Sequence, residues 1–148
     1  MSGNALASGL AVAAGVAGSI QVAVMARLGE RIGVLEALGF STALTAVLAV
    51  AVLAVAQHGL GGLEQAFHQP WWTLTGGVMG FVIVFTITYA GQRIGVAATV
   101  GILIAGQLAM GAAIDRFGLF GSKQIPLHWP RLAGIVLLAL GAALSLRR

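Results

Sequence analysis

The sequence predicts an all-α polytopic helical membrane protein with five transmembrane helices, and three observations predict it. Of the 148 residues, 59 % are hydrophobic and only 8 % charged, with a mean hydropathy of +0.99, whereas soluble domains carry about 25 % charged residues. The apolar residues fall in runs of about 20, the length a helix rising 1.5 Å per residue needs to cross a hydrocarbon core roughly 30 Å thick. Most of the charges sit between these runs or at their ends. Spans consume nearly the whole chain, so one five-helix membrane domain over residues 1–148 is expected, in direct contact with the lipid bilayer.

The first run, Asn4 to Met25, is uncharged and stops at Arg27-Leu28-Gly29-Glu30-Arg31. A cleavable signal peptide has a basic n-region and an apolar core of only about 7 to 15 residues. This run has neither, so the first helix is expected to be retained. The second run, Gly33 to Ala56, carries Glu36 in its opening turn and ends in the Gly-rich stretch Gln57 to Gly62, which reads as a loop. Leu60, Leu63, Phe67 and Trp71 recur at three- and four-residue steps, a pattern that allows a short interfacial helix. Trp71-Trp72 mark headgroup level, where an amphipathic ring has a dry side and a wet one. From there the third span runs from Trp72 to Tyr89, and the turn Gly91 to Gly95 leads tightly into the fourth, Val96 to Ile114. Asp115-Arg116 end it. A Gly- and Pro-containing connection through Trp129 leads to the fifth run, Leu132 to Leu146, short enough that Trp129 and Arg131 must anchor it at the interface. The loops differ in length and the aromatic positions do not recur, so no internal repeat is evident.

Five crossings place the termini on opposite faces. Arg27, Arg31, Arg93, Arg147 and Arg148 fall on one side, against Arg116, Lys123 and Arg131 on the other. The cation-rich side is expected in the cytoplasm, giving an outside N-terminus and a cytoplasmic C-terminus, but a bias this small also permits dual topology. Many transporters consist of two halves of inverted topology with the substrate site between them. A five-helix unit is a natural half, so an antiparallel homodimer, or a heterodimer with a sister chain, is expected.

Several function classes are excluded by composition and motif. The absence of cysteine removes disulfides, thiolate metal sites and thiol nucleophiles. The net charge of +4 and pI of 11.3 reflect scarce acids, and the cations are scattered rather than clustered with stacking aromatics, which excludes nucleic-acid binding. There is no HExxH pair and no phosphate-binding Gly-Lys-Ser/Thr loop, and His58, His68 and His128 all fall in connecting segments. No enzyme activity, metal or cofactor is therefore expected. Gly76-Gly77-Val78-Met79-Gly80 lies inside a span, where small residues let helices approach, and reads as a packing face. The same reading applies to Ala14 with Gly18, Gly101 with Ala105, and Gly134 with Gly141.

Polar groups at membrane depth are more informative, because an unsatisfied one in hydrocarbon costs several kcal/mol. Gln21 follows Gly18 by three residues and Gln107 precedes Gly111 by four, which places each on a small-residue face. Two such amides serve either as substrate contacts in a central cavity or as hydrogen-bonded glue between helices. Thr86, Thr88 and Tyr89 line a polar path or, for the threonines, bond their own backbone. Glu36 is the only acid inside a span and so the candidate for proton coupling, which wants a desolvated carboxylate near the midplane. Its first-turn position is shallow, favoured by the helix dipole and within reach of Arg27 or Arg31. Asp115 reads as a salt-bridge or loop anchor.

The residues Gly18-Ser19-Ile20-Gln21, Met25-Ala26-Arg27-Leu28 and Trp71-Trp72-Thr73-Leu74 with Gly77 and Gly80 resemble the YdcZ-type branch of the drug/metabolite transporter superfamily. The likeness continues through Arg93-Ile94-Gly95-Val96-Ala97-Ala98-Thr99, Gly106-Gln107-Leu108, Ile114-Asp115-Arg116-Phe117-Gly118, and Arg131 to Gly134 with Gly141. It implies a five-helix bacterial inner-membrane exporter, one half of an inverted-repeat architecture, with Gln21, Gln107 and Asp115 at recurrent polar positions of the family. One departure stands out: small multidrug exporters of that superfamily rely on a glutamate in their first helix, and this first helix has no acid. The expected function is thus a secondary transporter exporting small metabolites or drugs as an antiparallel dimer. The alternative is a non-transporting subunit that stabilises or regulates a partner complex. A passive channel fits less well, since no ring of charges or carbonyl-rich loop marks a filter.

Overall fold

A computed structural model describes residues 3–56, 64–65 and 67–146 of the chain. The expected loop Gln57 to Gly62, together with Leu63 and the terminal Arg147 and Arg148, lies outside them. The described residues form five helices and no strand: α1 Gly3–Ile32, α2 Val34–Ala56, α3 Thr75–Ile94, α4 Val96–Phe117 and α5 Trp129–Ser145. Four stretches are long and apolar enough to cross a membrane: Ala5–Ile32, Val34–Ala56, Trp71–Ile94 and Val96–Phe117, while Trp129–Ser145 is a shorter apolar helix. The protein is thus a polytopic helical membrane protein.

Helix ends differ from the sequence expectation in a consistent way: the chain stays helical through its charged clusters. α1 continues past Met25 to Ile32, with Arg27 donating to the Glu30 carboxylate at 2.9 Å one turn on, a spacing that supports a helix. Its 30 residues rise about 45 Å, more than the hydrocarbon core, so the charged end stands in the headgroup layer. Likewise α3 runs through the expected turn to Ile94, and Gly95 alone is non-helical before α4. Ahead of α3, Trp71–Leu74 forms a single 3-10 turn after Pro70. α4 stops where Gly118 adopts the left-handed conformation, φ 64° and ψ 33°, and returns its N–H to the Ile114 carbonyl. α5 begins three residues earlier than expected, because Pro130 in its first turn lacks an N–H that would be unpaired there anyway. Of the expected interfacial helix, Glu64, Gln65 and Phe67 are helical, while Leu60 and Leu63 fall outside the description.

The chain forms two compact units. One comprises Val24–Gln92, with Met25, Ala26, Ala37, Leu38, Ile87 and Thr88 buried in it. Gly29 permits a close approach here: a Cβ added to it would lie 2.8 Å from Thr88 Cγ2 and would also strike the Gln92 amide. The other unit comprises the residues up to Ala23 with those from Arg93 onward, and buries Val22, Ala98, Thr99, Ala112 and Ala142. In it α4 packs on α5 through small residues, the position of a Gly101 Cβ lying 3.2 Å from Ala142 Cβ. Most other apolar side chains are exposed, the condition of helices whose outer faces meet lipid.

Candidate transport groove and membrane-depth polar groups

Within the Val24–Gln92 unit, α2 and α3 leave a groove of about 310 Å³ between them. Its α2 wall is Ser41, Thr42, Thr45, Ala46 and Ala49, and its α3 wall is Gly77, Gly80, Phe81 and Val84. Both sets follow three- and four-residue steps, so each is one helix face. The glycines create the space: a Cβ added to Gly76, Gly77 or Gly80 would meet nothing within 4 Å. Among the described residues, then, the Gly76–Gly80 face borders open space instead of a close helix contact. Thr42 donates to the Leu38 carbonyl at 2.8 Å and Thr45 to the Ser41 carbonyl at 2.9 Å, which commits both protons to the helix backbone. What the two hydroxyls offer the groove is oxygen lone pairs. An apolar trough edged by acceptors suits an amphipathic solute that carries a hydrogen-bond donor.

Ser41, Thr42, Thr45 and Phe81, which line this groove, are not among the candidates the sequence singles out. A signal was present: Ser41 and Thr45 are four residues apart in an otherwise apolar helix, and Gly77, Gly80 and Phe81 repeat that spacing on the next. What sequence could not show is that the two faces lie opposite each other across open space.

The other candidates occupy distinct places. Gln21 and Gln107 are both exposed, and no hydrogen bond joins them. Gln107 stands at the middle of the 22-residue α4 and Gln21 a turn beyond the middle of α1, so both amides are exposed at membrane depth. Thr86 is exposed on α3, and Tyr89 stacks on Phe85 with ring centroids 6.2 Å apart and planes 7° from parallel. Thr88 is fully buried, its hydroxyl donating to the Val84 carbonyl at 2.7 Å. Glu36 lies exposed in the first turn of α2, its carboxylate folded over Gly33. Arg27 bonds Glu30 instead.

Asp115 pairs with Arg131 across 2.5 Å, joining the end of α4 to the start of α5, and its backbone carbonyl accepts from the Ile125 N–H at 2.8 Å. These two bonds hold both ends of the connection on one residue. Trp71 and Trp129 are strongly exposed beside helix starts and Trp72 less so. In the Val24–Gln92 unit, Gln92 Nε2 is buried and has no hydrogen-bond partner among the described residues.

No solved structure matches the chain. A family model described as "Putative inner membrane exporter, YdcZ" matches residues 6–144. The chain is also 33 % identical over 138 residues to the inner membrane protein YdcZ of Escherichia coli (strain K12), covering 93 % of this chain and 92 % of that one. A family model spanning nearly all of the five-helix structure, and a relative of matching length, establish that this chain belongs to the YdcZ family of inner-membrane exporters.

Proposed function

We propose that this chain is one half of a secondary transporter that exports small amphipathic metabolites or drugs from the bacterial inner membrane, completed by an oppositely inserted second copy or a sister chain. The observation that carries the reading is the exposure of the Gln21 and Gln107 amides at membrane depth. An amide facing hydrocarbon is unfavourable by several kcal/mol. A second chain or a solute in a shared cavity relieves that penalty, and a lone bundle does not. The α2–α3 groove supplies the apolar half of the solute contact, with Thr86 and Tyr89 further along α3 as polar contacts. Glu36 is the candidate coupling acid, although it stands at a helix end rather than at mid-span.

Reconstitution into liposomes tests this. Concentrative uptake of a compound whose toxicity the gene relieves is expected from the protein alone, falling at least about tenfold in Gln107→Leu, the size of effect expected for a lost buried polar contact. Glu36→Gln should abolish uptake driven by a pH gradient while sparing substrate exchange if Glu36 couples protons. Reporters fused to the C-terminus should be found on both faces of the membrane for the homodimer. Absence of flux with any compound would leave the non-transporting subunit as the surviving reading.

A further inference from the structure

The two places where the chain turns from one long helix directly into the next share five of six residues. Gly29-Glu30-Arg31-Ile32-Gly33-Val34 lies between α1 and α2, and Gly91-Gln92-Arg93-Ile94-Gly95-Val96 between α3 and α4, 62 positions later. At the same offset Gly15-Val16-Ala17-Gly18 is matched by Gly77-Val78-Met79-Gly80, Val22 by Val84 and Gly39 by Gly101.

The backbone repeats with the sequence. Gly33 and Gly95 are each the single non-helical residue between two helices, with φ of 100° and 84°. Gly95, with ψ 166°, sits in a region open essentially to glycine alone. The first bond of the following helix is equivalent in both, from the Ala37 N–H to the Gly33 carbonyl at 3.1 Å and from the Thr99 N–H to the Gly95 carbonyl at 3.2 Å. Burial repeats too: Met25 and Ile87, Ala26 and Thr88, Gly29 and Gly91, and Ala37 and Thr99 are all buried.

We propose that α1–α2 and α3–α4 are two copies of one helix–glycine–helix module, repeated in the same sense, and that Gly33 and Gly95 are its paired hinges. The two glycines are separated by two membrane crossings, so both hinges lie at the same face of the bilayer. A connection of one residue concentrates any reorientation of two helices into that residue's φ and ψ, and only glycine has the freedom to absorb it at these values. Acting together at one face, two such joints open and close the opposite ends of both helix pairs. This use of the hinges in a transport cycle rests on the transporter reading, whereas the duplication and the flexing do not.

The absence of native cysteine makes the test direct. Spin labels at Val16→Cys with Leu48→Cys span the first joint, and labels at the equivalent Val78→Cys with Met110→Cys span the second; all four side chains are exposed. Pulsed electron resonance on spin-diluted protein in lipid nanodiscs should give closely matching mean separations for the two pairs. Each distribution should be at least about twofold broader than that of a within-helix control pair, Ile102→Cys with Met110→Cys, as expected for hinge motion of domains or helices. Gly33→Ala should narrow the first distribution alone and Gly95→Ala the second alone. Clearly different mean separations would overturn the duplication, and distributions as narrow as the control would overturn the hinges. Both are decided with the unmodified glycines, so a variant that fails to fold does not matter. The distances are read without substrate: lack of flux in liposomes would remove the export reading and leave the joints in place.

Discussion

The α4–α5 seam and the α2–α3 groove are made from the same kind of residue and end in opposite states. At the seam, Gly101 faces Ala142 so closely that even a methyl group would sit at 3.2 Å. At the groove, a Cβ added to Gly77 or Gly80 would meet nothing within 4 Å among the described residues, and Ser41, Thr42 and Thr45 form the far wall. In lipid, helices associate by close van der Waals contact rather than by a hydrophobic force, so small residues are what both a tight seam and an open crevice require. Whether a small residue serves packing or vacancy depends on what stands opposite. The repeat sharpens the contrast. A Cβ at Gly39, the counterpart of Gly101 in the first module, would meet nothing within 4 Å among the described residues, whereas one at Gly101 meets Ala142 of the fifth helix.

Substitutions can break this comparison. Gly101→Leu should be the most damaging, destabilising by about 1–3 kcal/mol through overpacking against Ala142, read by thermal unfolding in detergent. Gly80→Leu enlarges an equivalent helical glycine and should alter stability by no more than about 0.5 kcal/mol, while filling the groove and suppressing flux. Equal destabilisation by the two would erase the distinction drawn here. Next, Gly29→Ala should cost about 1–2 kcal/mol by overpacking against Thr88 and Gln92, and the loss should shrink when combined with Gln92→Ala. Asp115→Asn, which removes the charge pairing with Arg131 but keeps an acceptor, should destabilise by about 0.5–1 kcal/mol, less at high salt. The smallest effect is expected for Gln92→Leu, which removes a buried donor without a partner and should be neutral or stabilising within about 0.5 kcal/mol. A marked loss there would mean that the amide has a partner in the folded protein.

Much of this was legible in the chain. The runs of apolar residues located the five helices α1 to α5, and the tryptophans and charged clusters bracketed them. The ends were less legible because charge was read as a stop: Arg27 and Glu30 stabilise the helix they were expected to terminate, and the true stop is Gly33. The repeat is hard to see in loops and aromatics for a related reason: the shared feature is a joint with almost no loop, recognisable in the positive φ of both glycines. Of the candidate residues, Asp115 is paired across a connection with Arg131, a partner 16 positions away that spacing along the chain does not point to.

The sequence by itself determined that the protein crosses a membrane as a series of helices, and where those helices break, because hydropathy and backbone freedom are local properties of each segment. Only the tertiary structure decided which glycines are covered and which are bare, which amides are exposed, and which hydroxyls line a common groove. Those outcomes depend on the surface that a neighbouring helix brings opposite, and a residue carries no record of its neighbour across space.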